Sequence, residues 1–174
     1  MCTGTHAAHG TSTPHHTGHT GHTGQAGNPP PLNADQSEWL DYAASVGEAQ
    51  GVPGAVVVGM IKNKGAPNFA GNIMSSDGTG ERLYGPMLLH GGLLDGGVFA
   101  GPGGHGLYNE DGQPLIASDL EGNPAAGIRA GVLHLKQLVE MYNGDIQKAI
   151  NHYETGDPDN SEHALGDLAA QCGE

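Results

Sequence analysis

The stretch Gly127-Ile128-Arg129-Ala130-Gly131-Val132-Leu133-His134-Leu135-Lys136-Gln137-Leu138 decides the fold. Continued to Tyr142, its apolar residues recur at Ile128, Val132, Leu135, Val139 and Tyr142. Steps of three and four place them on one face of an α-helix. Asn123 stands where a helix cap belongs, and Pro124 falls in the first turn, where its missing N–H is no loss. The spacing therefore predicts a helix over 124–142, broken by Asn143-Gly144.

Toward the C-terminus, Ile146, Ala149, Ile150 and Tyr153 predict a second amphipathic helix over 145–154, stopped by Gly156-Asp157-Pro158. Ser161 is placed to cap a last helix over 161–170 through Ala164, Leu165, Leu168 and Ala169. Toward the N-terminus, Asn33 or Asp35 can cap a helix over 36–49 that carries Trp39, Leu40, Tyr42, Ala43 and Val46, with Gly51 as its stop. Pro53 opens the next helix. The run Pro53–Ile61 is apolar almost all round, which predicts the buried central helix. A polar loop from Lys62 to Arg82 and a short apolar turn from Tyr84 to Leu89 follow. The glycine-rich stretch from His90 to Gly122 is long for a structureless loop, a length that usually belongs to function or to a binding surface. Gly101-Pro102-Gly103-Gly104-His105-Gly106 within it lacks the Lys-Ser/Thr of a phosphate loop and reads as a turn. No segment alternates like a strand, so the fold class is all-α.

Composition narrows the function classes. Hydrophobic residues make up 36% of the 174 and aromatics 5%, while glycine reaches 31. That describes a small core with long, tightly turning loops. The formal net charge is −13, from 19 acids against 6 bases. Such a field repels nucleic acid and anionic membrane surfaces. No apolar run approaches the roughly 20 residues that span a bilayer. Met1-Cys2-Thr3-Gly4-Thr5-His6 has neither a basic nor an apolar region of the kind a signal peptide needs. The expected location is therefore the cytoplasm of the producing cell followed by a virus particle released by lysis, with an extracellular or periplasmic site as the alternative. Cys2 and Cys172 lie at opposite ends of the chain; two free thiols and a terminal disulfide are both open.

Residues 1–35 form a separate arm, rich in Thr, Gly, His and Pro. Its apolar side chains are Met1, Cys2, four alanines and Leu32. That is too little to offset the entropy of ordering it alone. His16-Thr17-Gly18, His19-Thr20-Gly21 and His22-Thr23-Gly24 repeat with a period of three, which matches an extended strand and not an α-helix. Pro29-Pro30-Pro31 is a stiff spacer. His16, His19 and His22 could bind a transition metal if several chains converged, since imidazole suits Zn, Ni, Cu and Fe. The plainer reading is a polar arm that runs across a neighbouring subunit and clamps an assembly, with no cofactor. The histidines His90, His105, His134, His152 and His163 are expected to sit apart, as surface or groove lining. The domain division is thus 1–35 and 36–174.

The Gly127–Leu138 stretch resembles the N-I-x-x-G-x-x-Y-L-x-x-L helix of lytic transglycosylases and goose-type lysozymes. Three further segments follow the same family in order. Tyr84-Gly85-Pro86-Met87-Leu88 is similar to its Y-G-L-M-Q, Tyr142-Asn143-Gly144-Asp145 to its Y-x-G-D, and Ala149-Ile150-Asn151-His152-Tyr153-Glu154-Thr155-Gly156 to its A-x-A-A-Y-N-A-G. The resemblance spans roughly residues 36–157 and implies a lysozyme-like helical domain. It also implies a glutamate at the end of the central helix, which protonates the leaving oxygen of a glycosidic bond.

Aligning Val58-Gly59-Met60-Ile61-Lys62-Asn63-Lys64-Gly65 on the family's A-x-I-x-x-E-S puts Lys64 at the glutamate and Gly65 at the serine. A lysine is charged at neutral pH and is no substitute acid. Leu88 replaces the glutamine after methionine, and Glu154 replaces the asparagine. No Asp or Glu occurs between Gln50 and Ser76 to restore the acid by a small shift. The resemblance therefore implies a degenerate peptidoglycan-hydrolase fold, serving as a non-enzymatic structural or assembly protein, a phage virion component. Its partners would be further copies or neighbouring virion subunits. Lys64, Tyr84, Met87 and Tyr153 would be the remnant of the glycan groove, through which peptidoglycan contact could persist. The alternative is an active peptidoglycan hydrolase that uses Asp77 or Glu81 from the loop after the central helix.

Overall fold

In a computed structural model of the chain, the described residues are 25–63, 72–74, 82–94, 107–109 and 111–160. They are mostly helical. Helix α1 spans Gln36–Ala49, α2 Gly54–Asn63, α3 Ala117–Leu120, α4 Pro124–Met141 and α5 Ile146–Thr155.

The helix ends fall where local chemistry puts them. Of the two candidate caps for α1, Asp35 serves. Its carboxylate accepts the Glu38 N–H at 3.0 Å and the Ser37 hydroxyl at 2.7 Å. The Glu38 N–H, followed by the Ser37 hydroxyl, holds its pKa below the usual carboxylate value. Asn123 caps α4 by accepting from the Ala126 N–H, and Asp145 caps α5 by accepting from the Lys148 N–H. Gly156, at φ +76°, closes α5 and donates its N–H to the His152 carbonyl.

Helices α1 and α2 pack closely because small residues face each other. A Cβ on Gly47 would fall 2.8 Å from a Val57 methyl, and one on Gly54 would fall 2.9 Å from the Ala44 carbonyl oxygen. The Gly54 N–H donates to the Glu48 carboxylate at 2.7 Å, which satisfies a donor at the start of α2.

Helix α2 is buried through Val56, Val57, Met60 and Ile61, but among the described residues it is not the hub. There α4 packs against α1, α3, α5 and a strand, whereas α2 packs chiefly on α1. Apolarity all round tells that a helix is covered. It does not tell how many elements cover it.

The second correction is a small antiparallel sheet in the region expected to hold only a loop and a turn. Strands β1 (Asn72–Met74), β2 (Arg82–Tyr84) and β3 (Leu89–His90) lie in that order, with Ile73 opposite Leu83 and Tyr84 opposite Leu89. Strands of two and three residues are too short to show the alternation that would reveal them. The glycine-rich stretch also holds structure. Leu115 N–H donates to the Leu107 carbonyl, Tyr108 pairs with Pro114, and Asn109 closes the turn by accepting from the N–H groups of Asp111 and Gln113. The helix expected over 161–170 lies outside the described residues.

Candidate functional site

Three separated segments meet on α4. The turn Gly85–Leu88 between β2 and β3 carries Met87 against the helix. Gly85 has φ +67°, and its built Cβ would lie 3.1 Å from the Gly127 Cα; the reverse distance is also 3.1 Å. The two backbones approach because neither residue has a side chain. One turn further along α4, a Cβ on Gly131 would fall 2.8 Å from both Cβ and Sδ of Met87 and 3.0 Å from the Tyr153 hydroxyl. That hydroxyl donates to the Met87 carbonyl at 3.0 Å, which ties α5 to the turn.

The structure thus brings Met87 and Tyr153 together, and Tyr84, Met87 and Tyr153 all lie in the core. Their exposures are 5%, 0% and 5%. The expectation that they line an open groove is corrected: they pack. Burial, followed by the charge of Glu154, pushes the Tyr153 phenol well above its ordinary value, so it stays a neutral donor.

A histidine group adjoins this knot. The His134 ring lies 5.3 Å, centroid to centroid, from that of Tyr153. Burial first, then the charges of His152 and His90, lower its pKa to about 4. His152 Nδ1 and the Tyr142 hydroxyl share a hydrogen bond of 2.6 Å, which joins the end of α4 to α5. His90, His134 and His152 therefore interact, where the sequence had placed them apart. Residues 44, 18 and 62 positions distant in the chain give no local signal of such a meeting. Among the described residues no three His, Cys, Asp or Glu side chains converge in a way that could hold a metal.

Lys64, Asp77 and Glu81 lie outside the described residues, as do His16, His19, His22, Cys2 and Cys172. Helix α2 ends at Asn63, immediately before Lys64.

A second place was not foreseen. An open cleft of about 780 Å³ lies between residues 25–29, α1, the 107–115 turn and the first half of α4. Tyr42 and Arg129 face it, and Arg129 Nη1 donates to the Tyr42 hydroxyl at 2.9 Å. Asp111, Asp119, Asn109 and the ring of Tyr108 line the opposite side. Tyr108 is 47% exposed. Asp119 already accepts the Ile116 N–H at 3.1 Å. The described lining has no Ser, Cys or His; its polar groups are carboxylates, amides, phenols and one guanidinium. The Asp111-Gly112 turn signal was present in the sequence and would have located the wall made by 107–115.

Residues 25–29 form the remaining wall. The Gly27 N–H donates to Ser45 Oγ at 3.1 Å, and Ala26 packs on the core. The end of the arm is thus fastened to its own α1. Comparison of the chain with known protein families, with curated proteins and with solved structures found no match.

Proposed function

We propose that this chain is a non-enzymatic structural or assembly protein, a component of a phage particle, built on a degenerate peptidoglycan-hydrolase scaffold of lysozyme-like type. One observation carries the reading. Four residues that match the transglycosylase-like pattern hold packing positions, whereas the departures fall at polar positions of the pattern, Leu88 and Glu154, and also at apolar ones, Pro86, Asn151, His152 and Thr155. Gly85, Met87, Gly131 and Tyr153 are kept, and each is buried at the meeting of the turn, α4 and α5. Leu88 and Glu154, which replace a glutamine and an asparagine, are half-buried on the same elements. With Lys64 at the glutamate position, the pattern is that of a scaffold retained for its packing after the polar groups of catalysis have gone. The histidine-rich arm, threaded between copies, would supply the assembly function.

The test is turbidity of a peptidoglycan suspension treated with the full chain. The expected result is no clearing. Clearing that is lost in Asp77→Asn or Glu81→Gln overturns the proposal in favour of an active hydrolase.

A further inference from the structure

We propose that the cleft between α1, α4 and the 107–115 turn receives the histidine-rich segment 1–24 of a second copy of this chain, so that two copies exchange arms. The proposal rests on the assembly reading above and names the surface on which assembly takes place. Three observations carry it.

The first is attachment. Segment 1–24 lies outside the described residues, but the place where it joins the body does not. Gln25–Pro29 is a wall of the cleft, held to α1 by the Gly27–Ser45 hydrogen bond. Root and receiving site share an edge. A two-fold arrangement that brings one arm to the partner's cleft brings the other by the same rotation.

The second is reach. A segment of 24 residues spans about 70 Å when extended at about 3.1 Å per residue. A domain of about 100 residues has a radius of gyration of about 13 Å. The segment is long enough to cross a neighbour.

The third is charge. Residues 1–34 contain no Asp, Glu, Lys or Arg, yet they hold six of the eleven histidines; every one of the 19 acids lies beyond them. The titratable groups lining the cleft are Asp111, Asp119, Arg129, Tyr42 and Tyr108. Arg129 and Asp119 are half-buried, the latter accepting the Ile116 N–H, so Asp111 is the fully exposed charge facing an incoming imidazole. A neutral, donor-rich segment meets an acidic, partly aromatic wall.

The experiment uses the full chain. A nitroxide is attached at Thr17→Cys in a Cys2→Ser, Cys172→Ser background and mixed with an equal amount of ¹⁵N-labelled chain bearing no nitroxide. The expected result is loss of amide signal at Asn109, Asp111 and Ala126 of the ¹⁵N chain, with Ala149 and His152 on α5 unaffected. Asp111→Asn with Tyr108→Ala, both at exposed positions, should raise the concentration needed by about tenfold. Loss at some other surface overturns the cleft but leaves arm-mediated assembly standing. A second sample reverses the labels, with ¹⁵N and nitroxide on the same chain diluted into unlabelled chain; loss there but not in the first mixture means the arm fills its own cleft, and overturns the exchange. No loss anywhere, with a monomer mass on gel filtration, overturns both the cleft and the assembly reading.

Discussion

The knot around Met87 and the cleft beside Tyr108 lie on the same helix and are built on opposite terms. In the knot, the turn and α5 close on α4 through glycines at 127 and 131, with Met87 sealed and the Tyr153 hydroxyl satisfied on a carbonyl. In the cleft, the polar groups of Asn109, Asp119 and Asn123 are used to shape their own turns and helix ends, and the space between them stays open. The knot shows how a fold is held with few large side chains. The cleft shows where the same helix is left for something else.

Three substitutions and one titration can break or sharpen that contrast. The largest effect is expected from Met87→Ala. Removing a fully buried methionine whose surroundings are fixed by backbone contacts should cost about 2–5 kcal/mol in urea unfolding, because the hairpin cannot collapse into the space. A cost under about 1 kcal/mol would mean that the knot is loosely packed and the contrast is wrong.

Next comes pH. His134 binds a proton less readily in the folded chain than in the unfolded one, so its contribution is complete above the ordinary value of 6.5 and is lost as pH falls toward about 4. Across that window it amounts to something on the order of 3 kcal/mol. His134→Phe should flatten the dependence relative to the parent chain between those limits. Parallel curves for the two proteins would show that His134 is not buried as described.

The smallest effect is expected from Tyr108→Ala. Its ring is exposed and its pairing with Pro114 runs through the backbone, so stability should stay within about 0.5 kcal/mol. A larger loss would make the cleft wall part of the core.

The same contrast separates what could be read in the chain from what could not. Helices α1, α4 and α5 were legible to within a residue or two, because caps at Asp35, Asn123 and Asp145 and stops at Gly51, Gly144 and Gly156 act locally. The hairpin 82–90 was not, since its pairing depends on neighbours and not on its own alternation. For Tyr84, Met87 and Tyr153, sequence could not tell a groove from a core. Burial is set by what lies on the far side, and for Met87 that is a glycine 44 positions away. The cleft was invisible for the reverse reason. Its residues are marked by what they do for their own turns, and the space they enclose has no sequence.

The contact of Gly85 with Gly127 has a consequence for how such a chain can drift. Neither position can take even a methyl without moving the other's backbone, and the left-handed φ of Gly85 disfavours any side chain there on its own account. Nor can a change at one site make room for a change at the other, since both would add bulk to the same gap. In a population of variants the two glycines should therefore behave as a single inherited character, fixed together. The pair is a landmark by which a distant relative could be recognised after most other similarity has worn away.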